Sequence, residues 1–117
     1  MEKAINQIIM ETVNSTGRII GAPLAIRLIS EEFERMQSLN KEVEKVAVSA
    51  NSITINIKKG TPEKRAFELL MSIIITMETA YSKVIGKVAK TMIKKSLESA
   101  AKKYNKYKTL QEIARKY

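Results

Sequence analysis

The sequence predicts an α+β fold, mostly helical, in which a β-hairpin joins two helix pairs. Apolar residues recur at helical spacing before residue 40 and again after residue 62. Between these segments, residues 52–58 alternate strictly between apolar and polar side chains, as a half-buried strand does. The chain has 117 residues and is 44% hydrophobic, which suits a single domain, 1–117, with a sizeable core.

Residues 1–40 are predicted to form the first helix pair. The first helix covers 4–20, and Gly17 and Gly21 lie near its end, where glycine commonly stops a helix. Pro23 suits the first turn of the second helix, because the amide hydrogen that proline lacks has no helical partner there. This second helix is expected to run to about Leu39.

The β-hairpin is predicted over 43–58. Val46 and Val48 lie two residues apart in the first strand, and the second strand holds Ile53, Ile55 and Ile57. Ala50-Asn51 lies between the strands, and asparagine tolerates the left-handed conformation of a tight turn. We expect one face of the hairpin to be buried.

A long or kinked helix pair is predicted over 61–107. Thr61 suits the N-cap, Pro62 the first helical position and Glu63 the first turn. Gly86 is expected to kink or divide the helix, and the run 73–75, all isoleucine, leaves a strand as the alternative there. Apolar residues spaced by three and four form a heptad seam: Phe67, Leu70, Ile74, Met77, Tyr81, Val84 and Val88.

A short terminal helix is predicted over 109–117, because Thr109-Leu110-Gln111-Glu112 has the pattern of a capping box. The segment resembles the opening helix of helix-turn-helix units, in which a small residue at the position of Ala114 packs against the next helix. That resemblance implies a recognition helix beyond Tyr117, and the sequence contains no such base-reading element. The alternative is a simple amphipathic cap.

The two halves resemble each other, which predicts an internal repeat. At an offset of 65, the segment 8–21 aligns with 73–86, so that Gly21 meets Gly86. Each half would then be a helix, an Ile-Gly junction and a second helix, related by a pseudo-twofold axis. The alternative is that any two amphipathic helix pairs in an isoleucine-rich chain align this well.

Composition argues against an enzyme. The chain has no His, Asp, Cys or Trp, so the usual general base, nucleophile and metal ligands are missing, although a Glu/Lys or Tyr/Lys site stays open. No cofactor, metal or small-molecule substrate is indicated. The most apolar run, 69–77, is too short to span a bilayer, and no secretory segment is recognisable. We therefore expect a cytoplasmic protein without a membrane partner.

Charge gives the main indication of function. Residues 1–57 carry 6 Lys/Arg and 7 Glu, whereas 58–117 carry 15 Lys/Arg and 5 Glu. Such asymmetry indicates a polyanionic or acidic partner for the second half. Four lysines at helical spacing form a stripe: Lys83, Lys87, Lys90 and Lys94. A basic tail follows, in which lysine alternates with tyrosine: Lys102, Lys103, Tyr104, Lys106, Tyr107 and Lys108.

These patterns predict a small nucleic-acid-binding protein without base-specific readout. Lysines would contact phosphates, and the tyrosines of the tail would stack on unpaired bases. The alternatives are solvated lysines, and tyrosines that cover the end of the core.

A second function class is a regulatory or adaptor module that forms a homodimer. The dimer would use the seam from Phe67 to Val84, or the exposed edge of the strand that holds Ile53, Ile55 and Ile57. In that case the basic half meets an acidic protein surface, and the glutamates at 31, 32 and 34 of a neighbouring copy are one candidate.

Overall fold

A computed structural model describes all residues from Met1 to Tyr117. The elements follow the order of the chain: α1 (Glu2–Ile20), α2 (Ala22–Leu39), β1 (Val43–Val48), β2 (Ile53–Ile57), α3 (Glu63–Ile85), α4 (Val88–Lys103) and α5 (Lys108–Lys116). The predicted fold class is confirmed, since a two-stranded antiparallel hairpin separates two helix pairs. None of the five helices combines the length and apolar character needed to cross a bilayer.

A glycine divides each helix pair. Gly21 has a φ of 91° and Gly86 a φ of 62°, in the region that residues with a Cβ rarely adopt. The amide of Gly21 donates to the Gly17 carbonyl at 2.8 Å, and that of Gly86 to the Ser82 carbonyl at 2.9 Å. The second helix pattern is therefore divided at Gly86, and the isoleucine run 73–75 is helical, so the strand alternative is wrong.

The four long helices enclose one continuous core. α1 and α3 both pack against α2 and α4. Neighbouring helices are antiparallel, because their paired contacts run in opposite chain directions. Gln7 and Thr16 of α1 hydrogen-bond to Ser99 and Met92 of α4, and Ala25 of α2 and its C-cap Asn40 hydrogen-bond to Tyr81 and Arg65 of α3. No buried side-chain nitrogen or oxygen lacks a hydrogen-bond partner. All four helix ends at the glycine junctions thus lie at one end of the bundle.

The hairpin covers the other end of the bundle with one face buried. Val43 pairs with Ile57 and Val46 with Ile55, and a bulge between Val43 and Lys45 lets Val43 and Val46 face the same side. β1 packs on α2 and β2 on α1. No residue other than glycine has a positive φ, so the expectation of a left-handed Asn51 in the turn is wrong. The Ser49 amide donates to the Ser52 carbonyl at 2.9 Å and closes the turn instead.

Both predicted N-caps are displaced by one or two residues. α3 begins at Glu63 after Pro62, and the Thr61 hydroxyl donates to the Lys58 carbonyl at 2.6 Å instead of capping the helix. α5 begins at Lys108, which places Thr109 inside the helix, so the predicted capping box does not form.

The predicted dimer surfaces are mostly covered by the chain itself. Five of the six seam residues from Phe67 to Val84 lie in the core, because α2 and α4 cover this face of α3: Phe67, Leu70, Ile74, Met77 and Tyr81. Only Val84 is exposed. The seam is therefore an internal contact of this chain, which leaves only Val84 of these six residues for a second copy, and an interface through the seam stays a prediction.

The edge of β2 is occupied as well. The Asn6 side chain donates to the Ile55 carbonyl at 2.9 Å and accepts from the Ile55 amide at 2.8 Å. The Glu2 carboxylate accepts from the Ile57 amide at 2.5 Å. Ile53 and Ile55 are buried. α1 therefore already caps this edge of β2 within one chain, and homodimer formation through the hairpin stays a prediction.

The internal repeat also stays a prediction. Both halves have a helix, a positive-φ glycine and a second helix, in the order that the alignment of Gly21 with Gly86 requires. The two glycines differ in ψ, at 142° and −140°, so the junctions are not locally identical.

Candidate functional site

The net charge of the chain lies entirely after Ser82. Residues 83–117 hold eleven Lys/Arg and two Glu, a net charge of +9, whereas residues 1–82 hold ten of each. All three ion pairs join residues between positions 32 and 68, so no cation of α4 or α5 has a carboxylate within ion-pair distance. The C-terminal helices therefore carry positive charge that the protein does not neutralise.

The lysine stripe is divided by the turn at Gly86. Lys87, Lys90 and Lys94 line one cleft of about 710 Å³. Lys83 lies instead on α3, beside the groove between α2 and α3. Because the chain changes direction at Gly86, the helical spacing that aligns Lys83 with the other three does not continue across it. The predicted four-residue row is thus a three-residue cluster.

Lys94 has a structural partner. Its Nζ donates at 2.9 Å to the Ala114 carbonyl, in the last turn of α5. Carbonyls of a last helical turn lack partners within the helix and attract positive charge. This lysine is only partly exposed, whereas Lys87 and Lys90 are exposed. Lys94 therefore attaches α5 to α4, and Lys87 and Lys90 remain available to a ligand.

Tyr117 and Glu78 form the acidic side of the cleft region. The Tyr117 hydroxyl donates to the Glu78 carboxylate. Burial, followed by the hydrogen bond and the charge of Glu78, raises the pKa of Tyr117 well above its usual range, so the hydroxyl stays a donor at neutral pH. The Lys90 ammonium lies 5.4 Å from the centroid of the Tyr117 ring. Only one carboxylate, Glu78, opposes the three lysines of the cleft.

Sequence reasoning did not find the polar residues that share this cleft. Glu78, Ser82 and Thr91 line it with the lysines. Glu78 and Ser82 are four residues apart on α3, so helical spacing places them on one face. Only the packing of α4 against α3 shows that this face lies opposite the lysines of the cleft. Lys95 was also not predicted. It is exposed on α4, but it belongs neither to the heptad seam nor to the lysine stripe.

The tyrosines of the tail do not form a free stacking surface. The Tyr107 ring packs edge-on against Phe67, with centroids 6.3 Å apart, and its hydroxyl accepts from the N-terminal ammonium of Met1 at 3.1 Å. Tyr104 is partly buried against the core. Both rings cover one end of the core, which favours that alternative, and stacking on unpaired bases stays a prediction. The lysines of the tail remain exposed: Lys102, Lys103, Lys106 and Lys108.

α5 packs on α4 as an amphipathic cap. It buries Leu110 and Ala114 against the preceding helix. In a helix-turn-helix unit the small residue would pack against a following helix, so the contact of Ala114 agrees with the cap and not with that resemblance.

No group of three or more carboxylates is placed to hold a metal ion. No protein-family model, curated protein or solved structure matches the chain. The functional argument therefore depends on the geometry and charge of the residues described above.

Proposed function

We propose that the protein binds nucleic acid through the phosphate backbone, using exposed lysines of α4 and of the α4–α5 connection. The observation that supports this is the concentration of the whole net charge of +9 after Ser82, with no carboxylate paired to it. Unpaired lysines release the counterions of a polyanion on binding, which is the main source of affinity in sequence-independent recognition. Nothing in the chain supports base-specific recognition, because no segment is identified that could read base edges.

The proposed contact surface is a basic face of α4, defined by the exposed residues Lys87, Lys90, Lys95 and Lys102. These residues extend over about 22 Å of helix at 1.5 Å per residue. At about 100° per residue they spread over roughly 140° of the helix surface, so they form a broad face and not a single row. Duplex DNA carries one charge for about every 1.7 Å of its axis, so a basic face of this length covers several phosphates at once. Lys103, Lys106 and Lys108 continue the positive charge beyond the end of α4.

Two groups of residues predicted from the sequence are left out of this surface. Lys83 lies in a different groove, and Lys94 is bonded to Ala114. Tyr104 and Tyr107 contribute to the core end. The proposed contacts are therefore electrostatic, without base stacking.

Fluorescence anisotropy across a salt series tests the proposal. The ligands are duplex DNA, single-stranded DNA and RNA, each in two unrelated sequences. The protein should bind with little sequence preference, and log affinity should fall linearly with log salt. Replacing the four lysines of the basic face by glutamine should reduce the duplex slope by up to about 0.9 for each phosphate that the variant no longer neutralises.

A matched control removes the same charge elsewhere. Lys41, Lys45, Lys58 and Lys59 are exposed near the hairpin, and replacing them by glutamine lowers the net charge equally. This variant should keep most of the slope. The proposal is wrong if the protein binds no nucleic acid at low salt, if both quadruple variants show the same reduced slope, or if polyglutamate binds as tightly as nucleic acid, which would indicate an acidic protein partner.

A further inference from the structure

The groove between α2 and α3 leaves apolar side chains without a partner. Its volume is about 420 Å³. On α3, Ile75 is 60% exposed and Val84 is 48% exposed, and Leu28 of α2 lies beside them. Two isoleucines next to Ile75 in sequence are fully buried, so the exposure of Ile75 is specific to this face. The groove has one acidic and one basic residue, Glu32 and Lys83.

The residues that α3 contributes to this groove are self-complementary. They are Ile75, Thr76, Thr79, Ala80, Lys83 and Val84. If a second copy of α3 packs antiparallel about a twofold axis between Thr79 and Ala80, these six form three reciprocal pairs. Ile75 then meets Val84, and Thr79 meets Ala80, so apolar residues meet at both ends and small residues at the centre. Small central side chains allow two helices to approach closely, and a twofold contact requires this kind of reciprocity.

Charge complementarity favours the same arrangement. Along the antiparallel α2–α3 pair, Ala25 is level with Tyr81 and Asn40 is level with Arg65, as their hydrogen bonds show. By that correspondence Glu32 is level with about residue 74 of α3. The twofold contact brings Lys83 of one copy to the level of Thr76 in the other, close to Glu32. Two opposite-charge contacts, related by symmetry, would therefore flank the apolar contact.

We propose that this groove, defined by Leu28, Glu32 and the six α3 residues, is the surface through which two copies of the chain form an isologous dimer. It shares only Val84 with the seam and no residue with the β2 edge, and the chain covers the rest of the seam from Phe67 to Tyr81 itself. The proposal does not depend on nucleic-acid binding, since Lys83 is outside the basic face.

Sedimentation velocity over a concentration series tests the proposal on the full chain without nucleic acid. Wild-type protein should form dimers, and Ile75→Glu should be monomeric. The variants Glu32→Lys and Lys83→Glu each replace two attractive contacts by two repulsive ones, so each should raise the dimer Kd about tenfold or more. An equimolar mixture of these two variants should dimerise again as a heterodimer, because both contacts are then attractive. Rescue in a mixture of separate chains cannot come from a contact within one chain.

Leu39→Glu is the matched control, because Leu39 is 76% exposed and lies outside the groove. It should leave the dimer Kd unchanged. Circular dichroism confirms that each variant is folded, which is expected since the substituted side chains are exposed. A monomeric wild-type protein at all concentrations, growth into larger polymers, or failure of the mixture to restore association would each overturn the proposal.

Discussion

Replacing Tyr81 with phenylalanine removes a single hydroxyl from the centre of the core. The Tyr81 side chain is fully buried, and its hydroxyl donates to the Ala25 carbonyl at 2.6 Å. A hydrogen bond of this kind contributes about 1 kcal/mol net to the free energy of unfolding. For a chain of 117 residues, removing it lowers Tm by about 4 °C. At neutral pH, Tyr81→Phe should therefore be less stable than the wild type.

At alkaline pH the order should reverse. Burial raises the pKa of Tyr81 far above the ordinary value of about 10. Below pH 10 both the folded and the unfolded state keep the proton, so no stability is lost. Above it the unfolded state releases the proton and the folded state does not, so wild-type stability falls by about 1.4 kcal/mol per pH unit. Phenylalanine lacks this effect, and the two stability curves should cross near about pH 10.7.

Urea denaturation at a series of pH values, followed by circular dichroism, measures the difference between the two proteins. All other titratable groups are the same in both proteins, so their contributions cancel in that difference. Tyr104→Phe is the control, because Tyr104 is only partly buried and its hydroxyl makes no hydrogen bond within the protein. A difference between wild type and Tyr81→Phe that stays constant from neutral pH to about pH 11 would refute the argument.

Three further predictions concern single contacts. Gly86→Ala should lower the free energy of unfolding by about 1–3 kcal/mol, because residues with a Cβ rarely adopt this positive φ. An added Cβ meets no atom within 4 Å, so no steric clash contributes. An unchanged free energy of unfolding in urea denaturation would contradict this. Lys94→Gln should lower the free energy of unfolding by about 1 kcal/mol and accelerate amide hydrogen exchange in α5, because the bond from Lys94 to the Ala114 carbonyl is weakened. Unchanged exchange in α5 would contradict that contact. Asn6→Ala should cost about 2 kcal/mol and expose the Ile55 amide to exchange, and continued protection there would show another cap.

Local patterns were sufficient to predict the elements of the fold. Helical spacing and glycine placement predicted the first helix pair to within about two residues at each end, and strict alternation predicted β2. These signals are strong because each element buries one face, and burial of one face imposes its period on the sequence. The displaced N-caps were not predictable in the same way. Thr61 has a competing partner in the Lys58 carbonyl, and only the path of the loop decides between them.

The candidate site was less accessible to sequence reasoning. The excess of lysine in the second half was visible, and so was its helical spacing. Whether four lysines form one row depended on the continuity of a helix across Gly86, which a positive φ interrupts. The partner of Lys94, a carbonyl twenty residues away, leaves no periodic signal. The sequence leaves both stacking and a place at the core end open for the tyrosines of the tail, because it does not show that Phe67 and Met1 contact Tyr107.

By itself the sequence determined the elements, their order, the glycine junctions and the excess of positive charge, because these depend on residues close together in the chain. The tertiary structure decided which faces remain free. It placed the heptad seam from Phe67 to Tyr81 inside the core and capped the edge of β2 with Asn6. It also left Ile75 and the lysines of α4 exposed. An amphipathic face has the same pattern whether its partner is a helix of the same chain or another molecule, so only the packing of distant segments distinguishes the two.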